Sequence, residues 1–153
     1  MPLTTTTAML RKAQEQGFAV GAFNVENMEM AQAIISAAEE LRAPVILQTT
    51  PSTVRYAGTD LYAAMVAALA KEATVPVAMH LDHGDSFELC AKALRSGYTS
   101  VMIDGSKLPL EENIALTKSV TAMCSAVGVP VEGEIGRVGG KEDDLESDGG
   151  YTI

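Results

Sequence analysis

A chain of 153 residues with 47% apolar content is long enough to bury one core, and a single domain over residues 1–153 is expected. The net charge of −9, with no Lys/Arg cluster, excludes a phosphate-backbone grip on nucleic acid but leaves room for an anionic small molecule at a local site. No apolar run reaches about 18 residues and the opening MPLTTTTAMLRK lacks the apolar stretch of a secretory signal, so no membrane partner is expected and the chain reads as cytoplasmic.

In chain order, the residues repeat one unit: a short apolar, β-branched run, a turn, then a segment of helical periodicity. An amphipathic helix over about 5–16 precedes the first strand, 19–24 (AVGAFN). Asn27 is placed to cap a helix whose buried face reads Met28, Ala31, Ile34, Ile35, Ala38 and Leu41. A strand at 45–49 (VILQT) follows, then a helix with Leu61, Met65, Ala68 and Leu69 on one face. After the strand 77–81 (VAMHL), Asp85 with Glu88 reads as a capping box, and Gly97 stands where a left-handed helix end belongs. A strand at 100–103 (SVMI) leads to a helix opened by Pro109, carrying Leu116, Val120, Met123 and Val127, and closed by Gly128. The fifth strand, 131–135 (VEGEI), runs into a glycine-rich acidic loop, GRVGGKEDDLESDGG. Cys90 and Cys124, the two cysteines, lie in helix-like stretches and are expected to be small buried hydrophobes.

Strands alternating with helices imply parallel pairing and the α/β class. Length alone favours a flavodoxin-like open parallel sheet, since a closed (β/α)₈ barrel needs about 250 residues. The absence of a helical pattern after the fifth strand favours the other reading, a partial (β/α)₈ TIM barrel with about five of its eight strands.

Both architectures place chemistry at the carboxyl ends of the strands, and polar residues gather there: Asn24, Thr49, Thr50, Asp82, His83, Asp104, Ser106, Glu132 and Glu134. Asp82 and His83 are neighbours, so they converge on one site only where the strand turns, and Gly84 is the residue expected to permit it. Glu132 and Glu134, two apart, share a face. Carboxylates on a buried face need a cation, a metal or hydrogen-bond donors. His80, inside the apolar run, is expected to be a hydrogen-bonded core residue. From spacing alone, Asp82 with His83 fits a loop network as well as a catalytic or metal site.

The segments AFNVENMEMAQAII, HLDHG, SVMIDGS and VEGEIGRVGGKEDD, in this order and spacing, resemble the amino-terminal half of class II, zinc-dependent ketose-bisphosphate aldolases. The resemblance is nearest to the tagatose-1,6-bisphosphate branch, with the fructose-1,6-bisphosphate branch next. It implies cleavage to dihydroxyacetone phosphate and glyceraldehyde 3-phosphate, with Asp82 as catalytic acid and base and His83 as the first of three zinc-binding histidines. It further implies Asp104 and Glu134 near the metal, with a second or monovalent cation site. Asn24, Thr50 and Ser106 become substrate-binding candidates, and Glu142 belongs to a mobile loop used in proton transfer. The partners implied are a sugar bisphosphate, a second copy of the intact chain and, as in some tagatose-branch members, a non-catalytic subunit. The two further zinc histidines, the later phosphate-binding loops and about three strands have no counterpart here, so this chain by itself is expected to be inactive. The alternatives are an inactive half-barrel or structural subunit, and a Schiff-base aldolase using Lys107, the lysine just after DGS.

Overall fold

The structure, a computed structural model, describes residues 3–136, together with the backbone of residues 140–142 and 145–147. Its elements are α1 (Thr6–Gln16), β1 (Gly21–Asn24), α2 (Met28–Leu41), β2 (Val45–Thr49), α3 (Pro51–Ala57), α4 (Thr59–Glu72) and β3 (Val77–Gly84). They continue with α5 (Phe87–Ser96), β4 (Ser100–Ile103), α6 (Leu110–Ser125), β5 (Val131–Gly133), β6 (Gly140–Glu142) and β7 (Leu145–Ser147). The main sheet has five strands in the order β1-β2-β3-β4-β5, every neighbouring pair parallel. A flavodoxin-like sheet reverses its order beside the first strand. No reversal occurs among these strands, so the flavodoxin alternative falls and the partial-barrel reading stands.

Pleating divides the sheet into two faces. Val45, Leu47, Val77, Met79, Leu81, Val101 and Ile103 turn to one side and form the large core with Ala31, Ile35, Tyr62, Val66, Cys90, Val120 and Cys124 from α2, α4, α5 and α6. Ile46 and Ala78 turn to the other and meet Met9 of α1 and Val20. All four long crossover helices therefore cover one face, and α1 packs against the other. Both cysteines are buried, as their helical setting implied.

Several boundaries differ from the sequence reading. β1 starts at Gly21 and β5 stops at Gly133, whereas β3 runs on to Gly84. The short helix α3 was not foreseen, although Pro51 at its first turn has the φ a helix start needs. In α4 the buried row is Thr59, Tyr62, Ala63, Val66 and Ala70, while Leu61 and Ala68 are exposed. The helix is apolar nearly all round, and its buried row holds the hydroxyls with distant partners: Tyr62 donates to the Glu26 carbonyl at 3.0 Å and Thr59 accepts from Ser96 at 2.7 Å. Met28, Leu41 and Val127 are also exposed, at helix ends where the covering face has run out. Asn27 caps α2 as expected, accepting from the Met30 N–H at 2.9 Å. The cap of α5 is Ser86, which accepts from the Leu89 N–H, and Asp85 stands one residue outside, accepting from the Ser86 hydroxyl. Gly97 ends α5 at φ 103°, whereas α6 ends at Ser125 and Gly128 reverses the chain three residues later at φ 74°. In the stretch read as a loop, β6 and β7 pair as an antiparallel ribbon.

The ladder between β3 and β4 pairs Leu81 with Val101 and then Gly84 with Ile103. Asp82 and His83 thus stand opposite the single residue Met102, which is a β-bulge. The turning residue is His83, at φ 48°, and not Gly84, whose φ is not positive. Gly84 is needed for another reason: a Cβ there would lie 2.5 Å from the Met102 carbonyl oxygen and 3.0 Å from Cys90 Sγ. Gly84→Ala is expected to cost about 1–3 kcal/mol, since backbone and a buried sulfur must both give way. Urea denaturation measures it, and an unchanged midpoint would show that the approach is not tight.

Candidate metal centre and catalytic face

The bulge sends two consecutive side chains to different neighbours. His83 Nδ1 lies 3.1 Å from Asp104 Oδ2, just past the end of β4, and 3.5 Å from Glu134 Oε2, just past β5. One ligand atom from each of the three lies within 4.8 Å of the others, and all three side chains are partly buried. Asp104 also accepts from the Ser106 N–H at 2.9 Å. The hydrogen bond with His83 is the largest influence on Asp104 and, helped by Ser106, it outweighs burial and holds the carboxyl well below the usual carboxylate range. An imidazole and two carboxylates this close suit a divalent cation such as Zn²⁺, and three protein donors are what a catalytic zinc site uses.

Asp82 turns the other way. Its Oδ2 accepts from Gln48 Nε2 at 2.7 Å, and the same nitrogen donates to Asn24 Oδ1 at 2.8 Å. Asn24, Gln48 and Asp82 thus form a polar row across β1, β2 and β3. Gln48 was missed by the sequence reading because it sits inside the run VILQT. The signal was there: a primary amide on the strand face opposite Leu47 requires hydrogen-bond partners.

Beside this row lies a second one, with His80 in register with Gln48. The Thr6 hydroxyl of α1 donates to Ser100 Oγ at 3.3 Å, Ser100 Oγ is 2.8 Å from His80 Nδ1, and His80 Nε2 faces Glu132 Oε2 at 3.5 Å. With Thr6 donating, Ser100 donates to Nδ1, and the His80 proton resides on Nε2 toward Glu132. His80 is therefore the hydrogen-bonded core residue foreseen. Glu132 and Glu134 reach two histidines of one strand, in keeping with their shared face.

The remaining candidates are more dispersed. Thr50 is buried, with its hydroxyl 2.8 Å from Ser52 Oγ and 3.2 Å from Thr53 Oγ1 at the start of α3. Ser106 contributes its backbone to Asp104. Lys107 is exposed in the turn before α6. The backbone of Glu142 ends β6, and its side chain lies outside the described residues.

Residues 4–153 match the family described as Fructose-bisphosphate aldolase class-II. The chain belongs to that family. A Bacillus subtilis protein named "Probable fructose-bisphosphate aldolase" is 53% identical over 152 residues, covering 97% of this chain and 53% of that one. The Thermus caldophilus fructose-bisphosphate aldolase is 52% identical over 146 residues, covering 95% and 48%. Among solved structures, the YdjI aldolase from Escherichia coli K12 superposes with a TM-score of 0.84 at 37% identity, covering 92% of this chain and 54% of that one. The chain spans about half the length of the curated relatives it matches. As an aldolase-family chain it carries a barrel-type sheet and a donor set that could hold a metal. Among the described residues no helix is long and apolar enough to cross a membrane.

Burial, with a smaller push from His83, depresses the His80 pKa from 6.5 to about 4. The unfolded chain therefore binds more protons between these values, and stability should be complete above pH 6.5 and fall as the pH drops toward 4. The loss amounts to about 3 kcal/mol at 1.36 kcal/mol per unit. Denaturation of the wild type and His80→Gln across that window, in chelator, tests it. The slope should be shallower in the variant, and equal slopes would show that His80 is not buried as a neutral ring.

Proposed function

We propose that this chain is the amino-terminal half of a metal-dependent ketose-1,6-bisphosphate aldolase, in which Asp82 moves the proton and His83, with Asp104 and Glu134 beside it, holds Zn²⁺. The observation that carries this reading is the bulge of β3, which gives adjacent residues separate partners. Zn²⁺ bound there supplies positive charge that offsets the negative charge developing on the ketose oxygens during cleavage. The chain's own residues do the rest. Asp82 takes the proton of the C4 hydroxyl as the carbon–carbon bond breaks and returns it to the aldehyde oxygen in condensation. Asn24, at the end of β1, Thr50 and Ser106 are the proposed substrate-binding groups, and Glu142 the proposed proton-transfer group of the loop after β5.

The fructose name of the relatives supports the fructose bisphosphate, and the sequence resemblance supports the tagatose epimer, so both are to be assayed. A cytoplasmic location, a homo-oligomeric intact enzyme, a non-catalytic partner subunit in the tagatose case and a second or monovalent cation beside Asp104 and Glu134 belong to the same proposal. A Schiff-base mechanism is disfavoured by the exposure of Lys107, since such lysines need a desolvated pocket. An inactive or purely structural role is disfavoured by the coexistence of the acid and the ligand set.

In an intact aldolase containing this half, Asp82→Ala should lower turnover by about 10²- to 10⁴-fold, the usual worth of a positioned proton donor. Near-normal cleavage by that variant would overturn the assignment. EDTA should abolish activity that added Zn²⁺ restores, and borohydride with substrate should leave Lys107 unlabelled; covalent trapping at Lys107 would reverse the choice of mechanism. The 153-residue chain assayed alone with Zn²⁺ should show no cleavage of either bisphosphate. Turnover by it would mean that the donors present here are sufficient.

A further inference from the structure

We infer that Asn113, on the outer helix α6, is a positioning residue for the metal centre: its side-chain amide holds the turn after Asp104 and the strand end at Glu134 together, and so sets the spacing of the two carboxylates. That role rests on the metal-holding arrangement proposed above for His83, Asp104 and Glu134.

Three features carry it. First, the ladder does not hold the two carboxylate residues to each other. The pairing of β4 with β5 ends at Ile103 with Gly133, and Asp104 and Glu134 each come one residue later. Second, Asn113 is a polar residue on the buried row of α6, which continues with Val120 and Cys124, and it is only 7% exposed. An amide in such a place is costly unless its polar atoms are bonded. Its Nδ2 donates to the Glu134 backbone carbonyl at 2.8 Å, and its Oδ1 accepts from the Thr117 hydroxyl, one turn on, at 3.1 Å. A backbone carbonyl only accepts, so the amide must present Nδ2 to Glu134, and Thr117 holds the opposite end. Third, the same amide is packed against the turn that follows Asp104. A Cβ on Gly105 would lie 2.6 Å from Asn113 Cγ and 3.1 Å from its Cβ, an approach that only glycine allows. A Cβ on Gly133 would likewise lie 3.3 Å from Thr117 Cγ2. Asn113 and Thr117 thus grip both strand ends through the glycines beside the carboxylate residues.

In a metal-stripped intact aldolase containing this half, Zn²⁺ affinity is measured against a competing chelator. Asn113→Leu should lower it by about 10- to 100-fold, the usual cost of losing a group that orients metal ligands. Thr117→Val, which keeps the shape and frees the amide to turn, should lower it by less. Gly105 does not have a positive φ, so Gly105→Ala acts through its Cβ alone. It should displace the amide and lower affinity, yet cost nothing further in an Asn113→Ala background, where the colliding group is gone.

Val120→Ala separates positioning from general support of the helix. It opens a cavity in the same buried row, so it should lower the urea midpoint in chelator while leaving Zn²⁺ affinity unchanged. Equal loss of affinity in Val120→Ala would overturn the inference. Wild-type affinity in Asn113→Leu, or in Gly105→Ala where the first variant does not fold, would also overturn it, and loss of Zn²⁺ in His83→Ala would then keep the metal centre standing. Zn²⁺ retained by His83→Ala would overturn the metal centre, and this inference with it.

Discussion

Between Leu81 and Gly84, β3 places two residues where β4 places one, and the extra residue is accommodated by His83 in the left-handed region at φ 48°. In a regular strand Asp82 and His83 would face opposite sides of the sheet, one toward the helices and one toward the interior. The bulge cancels that alternation. A histidine at positive φ is uncommon and mildly strained, and its surroundings must hold it there. They do so from both sides: Asp104 and Glu134 fasten the ring, and the packing of Gly84 against the Met102 carbonyl fixes the strand immediately after it.

The rest of the architecture serves this local departure. The consecutive strand order brings the ends of β2, β4 and β5 alongside β3, so that Gln48, Asp104 and Glu134 reach Asp82 and His83 from flanking strands. The helices on the outer face supply the apolar burial, leaving the inner face free for polar rows. The second row, from Thr6 through Ser100 and His80 to Glu132, ties α1 to the same sheet. Each buried polar atom thereby finds a partner; among the described residues none is left unsatisfied.

Much of this was legible in the residues. Short apolar, β-branched runs alternating with helical periodicity located all five strands of the main sheet, and the polar residues read at the strand ends include Asn24, Asp82, His83, Asp104 and Glu134, which the structure brings to one end of the sheet. HLDHG with MIDGS then gave the family that the comparison bears out over residues 4–153. What was not legible depended on contacts between strands. Pleat arithmetic could show that Asp82 and His83 need a turn, but it assigned the turn to Gly84, the residue with the greatest backbone freedom. The structure uses Gly84 for its missing side chain instead, because the constraint there is the Met102 carbonyl on the next strand. Gln48 was hidden for a similar reason, since its partners lie 24 and 34 residues away. In α4, an apolar helix on nearly all sides, the buried row carries the polar groups with distant partners, Tyr62 on the Glu26 carbonyl and Thr59 with Ser96.

The central claim is that adjacent residues of one strand do different work, with His83 holding the cation and Asp82 moving the proton. Calorimetric titration of a metal-stripped intact aldolase containing this half with Zn²⁺ tests it most directly, comparing the wild type with Asp82→Ala and His83→Ala. The account requires Asp82→Ala to bind Zn²⁺ like the wild type and His83→Ala to lose that binding. Equal loss in both variants, or retention in His83→Ala, would contradict it.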